Sequence, residues 1–144
     1  MEKNEHAAME FRSGLNCAQA VLGEYVEEFG ASADSAARIA CGFGGGMGHT
    51  GGTCGAVTGA IMVLGLATCG SDPRDTVSRI RVHGLVQSFL AEFNARHGAT
   101  DCRRLLGCDI STPEGYSEAQ ISGLFETRCE VYVKDAVEIL ETIL

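Results

Sequence analysis

The chain has 144 residues, of which 45% are hydrophobic and 21% charged, and its 19 acidic residues against 11 lysines and arginines leave a net charge of −8. That length suits one domain, residues 1–144, able to bury its own core, and the composition excludes a disordered chain. No basic run is longer than Arg103-Arg104, which excludes a phosphate-neutralising surface, so no nucleic-acid partner is expected.

The opening Met1-Glu2-Lys3-Asn4-Glu5-His6 has neither the apolar core nor the cleavage site of a secretory signal, and the expected location is cytoplasmic. Ala18, Val21, Leu22, Tyr25 and Phe29 then recur at helical spacing, with Cys17 one turn ahead of Val21 and turned inward with them. A short helix fits Asp34 to Cys41. Ala56 to Ala67 is the most apolar stretch; it falls short of the ~20 residues that cross a bilayer, and Gly59 and Gly65 interrupt it, so it reads as a buried helix and no membrane contact is expected.

From Asp72 to His97 a long helix follows, with Val77, Ile80, Val82, Leu85, Val86, Phe89, Leu90 and Phe93 as its stripe, Pro73 in its first turn and Gly98 as C-cap. His83, among those apolar neighbours, reads as a core or interface histidine. Shorter helices fit Asp101 to Leu106 and Pro113 to Phe125. Cys129, Val133, Ala136, Val137, Leu140, Ile143 and Leu144 form one face of a last helix, which Cys129 heads. No alternating run makes a strand, and the expectation is an all-α, single-domain helical bundle with a glycine-rich loop.

That loop, Gly42 to Gly52, reads Gly-Phe-Gly-Gly-Gly-Met-Gly-His-Thr-Gly-Gly and runs into Thr53-Cys54-Gly55-Ala56. Its glycines can take positive φ and approach a bound group closely, which makes Gly44, Gly45, Gly46 and Gly48 candidate cofactor-binding positions. A dinucleotide or phosphate loop is disfavoured, because no strand precedes it and Gly52 stands where a phosphate loop has its lysine. His49 could serve as donor, ligand or proton carrier, although a loop histidine is more often a solvated residue.

Of seven cysteines, four follow residues that cap helices: Cys17 after Asn16, Cys54 after Thr53, Cys102 after Thr100-Asp101, and Cys129 after Thr127-Arg128. A thiol in a first helical turn meets unpaired amides that favour the thiolate, the form that ligates metals and attacks disulfides. No Cys-x-x-Cys pair occurs, so a shared site requires ligands from separate helices to converge. Cys41 and Cys69 look like helix-packing thiols, with Cys41 a second-tier candidate beside the loop; Cys102 and Cys108 stand close enough in sequence to pair or to ligate jointly. Gly55 and Gly59, with Ala56 and Ala60, allow a neighbouring helix to approach.

The segments Asn16-Cys17-Ala18-Gln19-Ala20-Val21, Phe43-Gly44-Gly45-Gly46-Met47-Gly48, Cys54-Gly55-Ala56-Val57-Thr58-Gly59 and Cys102-Arg103-Arg104-Leu105-Leu106-Gly107, with the late Cys129, resemble a family of redox-active proteins marked by a Cys-Gly-Ala-x-x-Gly motif and four shared cysteines. The resemblance carries those four positions to Cys17, Cys54, Cys102 and Cys129. A similar module accompanies the haem domain of the split-Soret cytochromes, where it is associated with an iron–sulfur centre. The leading expectation is a small redox protein in which the four cysteines bind an iron–sulfur cluster for electron transfer or redox sensing, with a redox protein as partner. A second is a thiol–disulfide protein in which Cys54 attacks as the catalytic thiolate and Cys17 or Cys102 resolves. A third is a structural zinc module held by the four thiolates, or a cluster-free helical homodimer.

Overall fold

A computed structural model describes residues 1–144 and is all-α. Its helices are α1 (Lys3–Arg12), α2 (Cys17–Gly23), α3 (Ala33–Ala40), α4 (Gly55–Thr68), α5 (Thr76–His97), α6 (Cys102–Leu106), α7 (Pro113–Ile121) and α8 (Glu130–Ile143). A 3₁₀ turn at Cys41–Phe43, tight glycine turns over Gly44–Met47 and a π-helical turn at Phe125–Cys129 complete it. No helix is long and apolar enough to cross a membrane.

Local chemistry explains most of the boundaries. Asn16 and Gln19 form a reciprocal capping box at the start of α2, each side chain accepting the other's backbone amide at 2.9 Å. Ser32, Asp75, Asp101 and Thr112 cap α3, α5, α6 and α7 in the same sense. α5 therefore begins at Thr76, later than its apolar stripe suggests, and Pro73 lies outside it. Gly98 and Gly107, both at positive φ, end α5 and α6. α2 stops at Gly23; Tyr25 and Val26 continue into the core from hydrogen-bonded turns rather than from helix.

The main core gathers Val21, Tyr25, Val57, Leu64, Phe89, Phe93, Val133, Val137 and Leu140 from α2, the turns after it, α4, α5 and α8. α2 lies directly on α4, where small residues set the distance: a Cβ on Gly59 would stand 2.8 Å from the Ala18 carbonyl oxygen, and one on Gly55 would stand 3.0 Å from the Cys17 Cβ. The predicted close approach at these glycines is therefore present. α1, not foreseen as a helix, buries Ala7 and Ala8. The first turns of α5 stand clear of the bundle, leaving Val77 and Ile80 each 65% exposed and His83 in solvent, contrary to the core role its neighbours suggest. Only Ser78 is buried there, its hydroxyl accepting the Gly70 amide at 3.1 Å.

Candidate functional site

The glycine turns fold back on themselves through amide-to-carbonyl bonds from His49 to Gly44, Gly51 to Gly45 and Gly52 to Gly46. Gly45, Gly46, Gly48 and Gly51 have positive φ, and so do Met47 (φ 63) and His49 (φ 65), where a side chain makes the left-handed region costly. At Gly46 only a hydrogen fits: a Cβ would stand 2.5 Å from the Gly52 carbonyl oxygen and 2.6 Å from the Cys102 Cβ.

After the turns comes the one piece of extended pairing in the chain, an isolated antiparallel bridge between Thr53 and Asp101. The Cys54 amide donates to the Thr100 carbonyl at 2.8 Å, and the Cys102 amide to the Gly52 carbonyl at 2.7 Å. Side chains alternate across paired extended segments, so with Thr53 and Asp101 on one face, Cys54 and Cys102 share the other as diagonal neighbours. Two thiols far apart in sequence are thereby set beside one another.

They face a cavity of about 180 Å³ that Cys17 and Cys129 line as well. Cys17 opens α2 and Cys102 opens α6, each directly after its capping residue, while Cys54 is itself the N-cap of α4. Cys129 departs from the expected placement. Its backbone is helical (φ −62, ψ −37), it closes the π-turn, and α8 continues from it without a break. Thr127 caps nothing; its hydroxyl returns to the Gly123 carbonyl at 2.8 Å.

Gly44, Gly45 and Gly46 line the cavity, whereas Gly48 lies outside the lining and closes the turn by donating its N–H to the Gly44 carbonyl. Four aromatic side chains that were not anticipated also line it: Phe11, Tyr116, Phe125 and Tyr132. His49 also reaches the lining and lies 5.4 Å, centroid to centroid, from Tyr116, which is 5.5 Å from Phe125. Tyr132 donates its hydroxyl to the Leu105 carbonyl at 2.7 Å, and Arg128 Nη1 donates to the Leu106 carbonyl at 3.0 Å, so α8 and the π-turn hold the C-terminal end of α6 and fix Cys102 relative to Cys129. No Lys, Arg, Asp or Glu lines the cavity.

Burial governs the thiols more strongly than helix ends do. It pushes the Cys54 thiol up to about 12 against the opposing amides of Ala56 and Val57. It likewise pushes Cys102 up to about 12, with Cys54 and Cys129 adding to the rise. Cys17 is raised well above the usual thiol range, first by the proton it holds toward Cys129 and then by burial. Cys129 alone is lowered, because Cys17 stabilises its thiolate. Of the four thiols, Cys129 rather than Cys54 is thus the one held below the usual thiol range.

Cys41 and Cys69 are exposed and Cys108 half-buried, all three outside the lining; Cys41 and Cys69 are therefore surface thiols rather than packing ones. No three thiol, imidazole or carboxylate groups converge closely enough to hold a single metal ion. Arg103 pairs with Asp109 and Arg104 with Asp101, at 2.8 and 2.7 Å, so neither is directed at a thiol.

An all-helical scaffold thus brings four thiols from separate segments to one cavity beside the glycine turns. Residues 15–143 match the family described as "Putative redox-active protein (C_GCAxxG_C_C)", and the chain belongs to that family. No curated protein and no solved structure matches it.

Proposed function

We propose that this redox-active protein holds an iron–sulfur cluster through Cys17, Cys54, Cys102 and Cys129, against the side-chain-free lining of Gly44–Gly46, and serves electron transfer or redox sensing in the cytoplasm with a protein redox partner. The observation that carries this is the convergence of four thiols, from four separate segments, on one uncharged cavity of about 180 Å³. A mononuclear zinc needs its sulfurs about 2.3 Å from a single point, and the thiols are not gathered for one ion. A cluster with several metal centres would not need its four thiolates to meet at one point. The likeness of the cysteine pattern to the iron–sulfur module of the split-Soret cytochromes supports the same choice.

When bound, the cluster would supply reversible one-electron chemistry. The chain's own contributions are separate. The Thr53–Asp101 bridge sets Cys54 beside Cys102. Tyr132 and Arg128 keep α6 seated. The glycines let peptide groups approach sulfur, and the aromatic side chains limit water around it, both of which tune a potential.

The test is anaerobic purification, with iron and acid-labile sulfide measured in comparable amounts in a brown protein. Cys54→Ala should abolish loading and Cys69→Ala should leave it intact; equal loading in the two variants removes Cys54 from the site, and zinc without a redox wave rejects the cluster.

A second reading rests on the Cys17–Cys129 pair, in which one thiol holds a proton toward its partner's stabilised thiolate. In a thiol–disulfide protein Cys129 would then attack, with Cys17 resolving, in place of the attacking Cys54 expected from sequence. Colourless protein that loses two free thiols reversibly on mild oxidation, with Cys17 and Cys129 recovered in one cross-linked peptide, selects this reading.

A further inference from the structure

The first turns of α5 carry apolar side chains that nothing else in the chain covers. Val77 and Ile80, three residues apart and so on one helical face, are each 65% exposed. Gly84, a turn beyond Ile80, has open space where a Cβ would stand, so another surface can come close to the helix there. Between α2, α3 and α4 the opposite shape occurs, a groove of about 320 Å³ lined by Leu22, Val26, Ala36, Ile39, Met62 and Leu66 and by no charged side chain. Ile39, at its edge, is 66% exposed. Exposed apolar patches rimmed by polar residues mark surfaces that meet another molecule.

Charge selects which molecule. Every lysine and arginine of the chain is in an ion pair except Arg79, Arg81 and Arg128. Arg128 is committed to the carbonyls of α6. Arg79 and Arg81 flank Ile80, both exposed, and Arg79 reaches only the Pro73 carbonyl, at 2.9 Å. The groove carries the complement. Glu27, next to Val26, is exposed and in no ion pair, and Asp34, next to Ser35, meets Arg38 only at 3.9 Å; Glu28 is held by Lys3. A chain with a net charge of −8 repels its own copies over most of its surface, and the α5 tip is where that repulsion is locally reversed. An apolar ridge between unpaired cations and an apolar groove beside unpaired carboxylates, both on one chain, are complementary to each other.

We propose that the occupant of the groove is α5 of a second copy of this chain, with Val77 and Ile80 entering between α2, α3 and α4 and with Arg79 and Arg81 meeting Glu27 and Asp34. Burial of the aliphatic side chains supplies the attraction, and the charges fix the partner and its register. The contact involves none of the four cavity thiols, so it stands or falls separately from the cluster.

The test is sedimentation equilibrium of the full-length protein from about 1 µM to about 1 mM. The natural chain should self-associate within that range. Ile80→Glu on the ridge and Ile39→Glu at the groove should each weaken association about tenfold or more. Both positions are exposed, so the melting curves should stay unchanged and loss of fold is separable from loss of contact. Mixed in equal amounts, the two variants should associate more tightly than either does alone, because the ridge of one and the groove of the other are still intact. A face that pairs with itself would gain nothing from mixing. Arg81→Glu should weaken association about threefold or more, and adding Glu27→Arg to it should recover most of that loss. A natural chain that stays monomeric throughout, or variants that gain nothing on mixing, overturns the proposal. Monomeric protein that binds anionic lipid vesicles and loses them with Arg81→Glu also overturns it, and assigns the α5 face to a membrane surface instead.

Discussion

Gly59 of α4 rests on the backbone of Ala18 in α2, so closely that a Cβ at Gly59 would stand 2.8 Å from the Ala18 carbonyl oxygen and 3.1 Å from its Cα. Backbone cannot swing aside as a flexible side chain can. Gly59→Ala should therefore force the two helices apart and cost on the order of 1–3 kcal/mol. Gly65, two turns further along the same helix, has nothing within 4 Å of such a Cβ. Gly65→Ala should be neutral or stabilise by up to about 1 kcal/mol through helix propensity. Chemical denaturation of the two variants checks both signs, and equal effects would mean that α2 and α4 do not meet through Gly59.

Asn16 does two jobs at the base of the site. Its Oδ1 accepts the Gln19 amide at 2.9 Å, and its Nδ2 donates to the Cys41 carbonyl at 3.0 Å, tying the start of α2 to the entrance of the glycine turns. Asn16→Ala should cost about 1–2 kcal/mol as a lost cap. Asn16→Asp should keep the cap and lose the tie, giving a smaller loss of thermal stability and faster amide exchange at 44–48. Identical melting curves for the two variants would show that the tie to Cys41, which both lose, matters and the cap does not.

The raised thiols predict alkaline destabilisation of the cluster-free protein. Cys54 and Cys102 ionise near 9.0 in the unfolded chain and are pushed to about 12 when folded. Above 9 the unfolded state releases protons that the folded state retains, so the stabilising difference is complete below about 9 and is lost as pH climbs toward 12. Each such thiol steepens the decline toward roughly 1.4 kcal/mol per pH unit. Denaturation midpoints between pH 8 and 11, compared with a Cys54→Ala/Cys102→Ala variant, measure it; a variant that declines just as steeply would refute the assignment.

Tyr132 and Arg128 grip the last carbonyls of α6 from the other side of the cavity. Tyr132→Phe keeps the ring and removes one buried hydrogen bond, for an expected loss of about 1 kcal/mol. Because α6 carries Cys102 at its opposite end, the same variant should also change the labelling rate of Cys102 relative to Cys54. A stability loss with the ratio unchanged would make Tyr132 a packing residue alone.

Much of this arrangement was legible in the sequence where a single residue type decides local backbone. Asn16 and Asp101 announced the helix starts that present Cys17 and Cys102, and Gly98 the end of α5. Cys17 and Cys102 follow the caps that the sequence suggested, whereas Cys54 is itself an N-cap and Cys129 lies within helix; all four nevertheless line one cavity. Thr127, however, made Cys129 look like a helix start, although its hydroxyl returns to Gly123 and the helix runs on from the π-turn without a break. Apolar spacing also extended α5 over Pro73 and assigned Val77, Ile80 and His83 to the core, because a stripe does not say how far the partner helices reach. Phe11, Tyr116, Phe125 and Tyr132 carried no signal at all; aromatic residues at helical spacing look alike whether they face a core or a cavity. The Thr53–Asp101 bridge is too short to leave an alternating pattern.

That small bridge also dictates when the site can come into being. It joins positions 53 and 101 across the whole α4–α5 hairpin, so on a chain emerging from the ribosome Cys17 and Cys54 are synthesised well before their counterparts can arrive. Early thiols must wait unprotected while the hairpin forms and its ends meet, a closure whose entropic cost grows only slowly with loop length. Lengthening or trimming the hairpin tip near Ser71 should consequently alter how fast the pocket matures, yet leave its finished shape alone.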